Sequence, residues 1–185
     1  LTIRRVTRMQ AGVSAVGETY IDRIASFPGV TMLVRWLLAA VHLLAYGFAL
    51  ASILRRTWSL RRASVPAALR SVFRSDARWG LSALVLVVTG LMRAFGGFEK
   101  GADYYLHEPL FHVKMTLLVL ILILEVPTML GLIRWRAAIR NGAPPDLKKA
   151  RTYARFSVIQ TVLLVLMVFA ASGMARGIGL PAGVV

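Results

Sequence analysis

His42 sits inside a long apolar stretch, with Arg35 seven residues before it and Tyr46 four after. On a helix these spacings place all three on one face. A titratable group in hydrocarbon is costly unless it pairs, faces a cavity or holds a cofactor, so this polar stripe is expected to point inward. His42 serves either as a neutral tie to a neighbouring helix or as an axial ligand to a b-type haem, for which one histidine on a bundle helix suffices. A second cluster lies in "YYLHEPLFHVKM", where His112 and Lys114 open another apolar run. With Arg35, Arg93 and Arg176 they make a layer of cations near helix ends, opposite Glu99, Asp103 and Glu108. Such a layer either snorkels to headgroups or holds an anionic group such as haem propionates, a quinone headgroup or a carboxylate. Joint ligation of one haem by His42 and His112 is not favoured, because their expected depths differ by roughly 10 Å at 1.5 Å per residue. Glu125, eleven residues beyond Lys114, shares its face but is about 16 Å away along the axis. It is expected to satisfy backbone near Pro127 in protonated form, with a proton relay as the alternative.

These residues require membrane helices to position them. Four segments reach the roughly 20 apolar residues that a bilayer demands: Met32 to Leu54, Trp79 to Gly96, Leu110 to Trp135 and Phe156 to Ile178. The chain has 185 residues, 57% of them hydrophobic, and a net charge of +15; its mean hydropathy is +0.66. This basicity points to phospholipid headgroups rather than nucleic acid as the counter-charge. The absence of cysteine excludes disulfides, thiolate zinc sites and c-type haem attachment. The fold class is therefore an all-α membrane protein, a four-helix transmembrane bundle over residues 32–178, between an N-terminal tail (1–31) and a short C-terminal tail (179–185).

Arginines crowd the first and third connections: Arg55, Arg56, Arg61, Arg62, Arg70, Arg74 and Arg78 in one, Arg134, Arg136, Arg140, Lys148, Lys149, Arg151 and Arg155 in the other. Short basic loops remain cytoplasmic, which puts both termini and the 97–110 connection in the periplasm, with the chain in a bacterial inner membrane. In the N-terminal tail, Val13, Val16, Tyr20, Ile24 and Phe27 follow helical spacing and predict an amphipathic surface helix; a partly disordered tail is the alternative. No cleaved leader is expected. "SVPAALRSVF" and "PPDLKKARTYARF" predict further helix, the latter capped by Asp146 and continuous with the fourth span. "NGAPP" predicts a turn.

From the second span to the C-terminal glycines, "DARWGLSALVLVVTGLMRAFGGFEKGADYYLHEPLFHVKMTLLV", "EVPTMLGLIRWRAAI" and "GMARGIG" resemble a bacterial family of small predicted four-helix inner-membrane proteins, a domain of unknown function. The resemblance runs over about 150 residues and leaves out the first 30. It places Arg93, Glu99, Lys100, Gly101, Tyr104, Tyr105, Phe111, Lys114, Pro127, Thr128, Trp135, Arg136, Met174, Ala175, Arg176 and Gly177 at motif positions, while Glu125 departs from the pattern. More distantly, a histidine in the first helix and "FHVK" opening the third are similar to membrane protoporphyrinogen oxidases and copper-resistance D proteins. That likeness implies a haem- or copper-associated role for His42, His112 and Lys114. The functional expectation is a small redox protein holding haem b or a porphyrin through His42, with Arg93, Lys114 and Arg176 near its anionic groups. The competing expectation is a non-catalytic accessory subunit of a larger respiratory or photosynthetic complex. A transporter is disfavoured, because paired broken helices are lacking.

Overall fold

The computed structural model describes residues 28–63, 66–96 and 106–178. They form four helices: α1 (Pro28–Arg61), α2 (Pro66–Phe95), α3 (Pro109–Arg140) and α4 (Ala150–Ala175), the last led in by a 3-10 turn at Leu147–Lys149. There is no strand among the described residues. The surface helix expected within the first 27 residues lies outside them. The chain divides into two units, Leu1–Val41 and His42–Val185. In the first, the described residues are the start of α1, where Arg35 is exposed rather than turned inward as its spacing suggested.

All four helices are long and apolar enough to cross a membrane. Proline opens α1, α2 and α3, where its missing N–H costs no helical bond. The helices run well past the expected spans at the Arg-rich end. Arg55, Arg56 and Arg61 belong to α1 rather than to a loop, and α2 begins at Pro66, so the helix expected in "SVPAALRSVF" runs unbroken into the span expected from Trp79. At 32 residues α3 is about 48 Å long, more than a hydrocarbon core of about 30 Å requires. Arginine is a good helix former whose long side chain reaches headgroups while the backbone continues.

Two helix ends explain sequence motifs. At "NGAPP", Ala143 N–H donates to the Ala138 carbonyl (2.9 Å) and Gly142 N–H to Ile139 (3.1 Å), with Gly142 at φ +72°. At "GMARGIG", Ile178 N–H donates to Gly173 (3.1 Å) and Gly177 N–H to Met174 (3.1 Å), with Gly177 at φ +69°. Both are Schellman caps, in which glycine takes the left-handed position. Between them, Asp146 accepts from Lys148 N–H (3.1 Å), as its capping role predicted, and its carbonyl receives the Trp135 indole N–H at 2.8 Å.

In the second unit the core is stacked in layers. The layer nearest the Arg-rich end joins Leu60, Val72, Leu132, Trp135, Tyr153 and Ala154. The middle layer joins Ala49, Ile53, Trp79, Ile121 and Leu164. The third, smaller layer joins Ala94, Phe111 and Met174 at the opposite end. Buried positions on α1 and α4 recur at alternating steps of three and four, and those on α3 at seven, four and three, as in a left-handed bundle seam: Ala49, Ile53, Arg56, Leu60; Tyr153, Ser157, Gln160, Leu164; Ile121, Thr128, Leu132, Trp135. Outward-facing Leu43, Leu44, Phe48, Ile123 and Phe169 are exposed, the expected face toward lipid.

Candidate functional site

Polar side chains collect at two depths. Between the first two core layers sits Arg56, whose side chain is fully buried. Its Nη1 donates to Glu125 Oε1 (2.7 Å) and Asp76 Oδ1 (3.1 Å). Its Nη2 donates to Glu125 Oε2 (2.8 Å) and Gln160 Oε1 (2.9 Å), and its Nε to Ser157 Oγ (3.2 Å). A guanidinium has five N–H donors, and each finds an acceptor here. The Trp79 ring closes the site, with its centroid 5.6 Å from the guanidinium carbon. Gln160 Nε2 donates onward to Glu125 Oε2 (2.8 Å) and to the Ile121 carbonyl (3.0 Å). Asp76 Oδ2 accepts from Arg136 (2.9 Å).

This arrangement corrects the reading of Glu125. Its carboxylate is not spent on backbone freed by Pro127; it forms a bidentate pair with an arginine from α1. Two guanidinium groups face two carboxylates, so the cluster is balanced in formal charge. Fork-to-fork geometry and full donor satisfaction are the conditions under which a buried ion pair offsets its desolvation. Each of the four helices supplies a member: Arg56 from α1, Asp76 from α2, Glu125 and Arg136 from α3, Ser157 and Gln160 from α4. The arrangement is suited to fixing helix register.

His42 lies toward the other end. Its Nδ1 is 2.7 Å from Thr89 Oγ1 on α2. The Thr89 hydroxyl donates its own hydrogen to the Val85 carbonyl (2.6 Å), so toward His42 it acts as acceptor. His42 therefore carries its proton on Nδ1 and its lone pair on Nε2 in the neutral form. His112 behaves alike: its Nδ1 lies 3.1 Å from the Glu108 carbonyl, which can only accept. An Nδ1–H anchored on oxygen, with the lone pair on Nε2, is the state in which histidine binds metal. Gly90, next to Thr89, faces His42: a Cβ there would lie 3.5 Å from His42 Cε1.

The residues expected around an anionic group come from α2, α3 and the C-terminal end of α4. Arg93 follows Thr89 by one turn on the same face of α2 and is half-buried, as is Lys114 on α3. Arg176 folds back onto its own helix, donating to the Ser172 carbonyl (3.2 Å) and hydroxyl. Glu108, expected opposite these cations, is instead fully buried with neither carboxylate oxygen hydrogen-bonded. Glu99 and Asp103 lie outside the described residues. Among the described residues no three His, Cys, Asp or Glu side chains converge on a metal-ion site. A haem makes a smaller demand, since the porphyrin supplies four nitrogens and the protein one or two. The histidine tautomers fit that donor set.

Four spanning helices around a common core define a small all-helical integral membrane protein. The chain belongs to the family described as "Predicted membrane protein (DUF2214)", which it matches over residues 34–179. No curated protein and no solved structure matches it, so the more distant likeness to protoporphyrinogen oxidases and copper-resistance D proteins has no support from these comparisons.

Proposed function

We propose that this is an inner-membrane protein that holds haem b, or a related porphyrin, through His42 for a redox role. The observation that carries the reading is the Thr89 hydroxyl, committed as donor to Val85 and therefore receiving His42 Nδ1–H. That contact orients the imidazole. His112, held in the same tautomer, is the second candidate ligand. Arg93 and Lys114 are the candidates for propionate partners by charge, and Arg176, which donates to Ser172 of its own helix, is the third. When bound, the haem would supply one-electron chemistry; the chain supplies ligand orientation and charge compensation.

The reading is tested by a reduced-minus-oxidised visible spectrum of detergent-purified protein from haem-replete cells. A sharp Soret band and α-band at about one haem per chain are expected. A colourless protein would refute it, and stoichiometric co-purification with other subunits would then support the accessory-subunit reading.

The orientation proposed is cytoplasmic for the α1–α2 and α3–α4 turns and periplasmic for the α2–α3 connection. The native chain has no cysteine, so single cysteines report cleanly. In intact cells a membrane-impermeant maleimide is expected to label Leu106→Cys and spare Ala143→Cys. The reverse pattern would invert the topology.

A further inference from the structure

The α1–α2 turn carries a groove that neither the ion cluster nor the histidines use. It encloses about 520 Å³ and is lined by Arg55, Trp58 and Ser59 of α1, by Arg62 in the turn that follows, and by Ala68 and Ser71 of α2. Trp58 and Ser59 follow Arg55 by three and four residues on one face of α1, and Arg62 comes directly after the last turn of that helix. Ser59 Oγ donates to Ser71 Oγ at 2.8 Å, fixing the groove floor across the two helices. The Arg62 guanidinium stacks over the Trp58 ring, 4.0 Å from its centroid, which holds the charge in place. Asp76, the one acidic residue in this part of the chain, has both oxygens engaged by Arg56 and Arg136. Neither Arg55 nor Arg62 forms an ion pair with a carboxylate among the described residues.

We propose that this groove is a binding site for the headgroup phosphate of an anionic phospholipid. Two guanidinium groups and the Ser71 hydroxyl, whose hydrogen is not used by the Ser59 contact, match the acceptor-rich phosphate. The choice of a lipid over a soluble anion rests on the groove's position. Trp58 is 62% exposed, and Leu54, one turn nearer the apolar span, is 50% exposed, so the groove opens where polar and lipid-facing surfaces meet. An aromatic ring beside arginines at that boundary suits a headgroup whose chains continue along α1. The site is independent of haem binding.

Native mass spectrometry of the full chain, delipidated in detergent and titrated with phosphatidylglycerol or phosphatidylethanolamine, tests the assignment. One phosphatidylglycerol is expected to be retained about tenfold more strongly than phosphatidylethanolamine. Arg55→Gln/Arg62→Gln is expected to abolish that preference. Arg151→Gln/Arg155→Gln, which removes equal charge from exposed positions on α4, is expected to preserve it. All four arginines are exposed, and the thermal midpoint by far-ultraviolet circular dichroism checks that each variant is folded. Equal loss in both variants would show bulk electrostatics and overturn the site. Displacement of the lipid by millimolar inorganic phosphate would overturn it in favour of a soluble anion.

Discussion

Replacing Arg56 with methionine is expected to destabilise the fold by about 3–5 kcal/mol, enough to remove most folded protein from a detergent extract. The substitution deletes five hydrogen bonds at once and leaves Glu125 and Asp76 facing each other without the cation between them. Lysine at the same position retains the charge but offers a single ammonium in place of a planar fork. Arg56→Lys should therefore fall between the wild type and Arg56→Met. The triple change Arg56→Met/Asp76→Asn/Glu125→Gln removes the charges together and should recover most of the lost stability, because the penalty comes from uncompensated charge. Thermal unfolding followed by size-exclusion chromatography reads all three. A triple variant no better than Arg56→Met would mean that the cluster contributes through shape rather than charge balance.

Gly131→Val is expected to cost about 1–3 kcal/mol through overpacking where α3 meets α4. A Cβ at position 131 would run into the Tyr153 ring, striking the hydroxyl oxygen and two ring carbons. Tyr153 is buried against Trp135, with ring centroids 5.6 Å apart, and has little room to withdraw. Tyr153→Phe should give little relief, since the ring carbons remain in the way. Tyr153→Leu combined with Gly131→Val should relieve part of the cost, although Tyr153→Leu is destabilising alone. A double-mutant cycle in thermal stability measures this coupling, and strict additivity would contradict the contact.

Much of the architecture was legible because bilayer thickness forces long apolar runs and lipid forbids unpaired backbone. The four spans, the Asp146 cap and the turn at Asn141–Gly142 follow from such local rules. The inner starts of α2 and α4 were legible in "SVPAALRSVF" and "PPDLKKARTYARF"; the inner ends of α1 and α3 were not, because arginine-rich sequence reads as loop when residues are tallied by charge. Arg55 and Arg56 are adjacent and chemically identical, yet one lines a surface groove and the other is fully buried. Position separates them: Ala49, Ile53 and Leu60 follow the seam spacing, and only Arg56 completes it. The same register places Gln160 between Ser157 and Leu164. Glu125 invited a search for a partner within its own helix, but the partner comes from α1, 69 residues away. No local pattern encodes which helices become neighbours. For His42 the spacing suggested an inward-facing group, whereas the tautomer depends on Thr89 and, through it, on the Val85 carbonyl.

The measurement that tests the haem assignment most directly is the haem-to-protein ratio of purified wild type and His42→Ala, read as the pyridine haemochrome alongside the thermal midpoint of each. A wild-type ratio near one that falls at least tenfold in His42→Ala, with a folded variant, is the expected result. An unchanged ratio in a folded His42→Ala protein would contradict the assignment of His42 as the ligand.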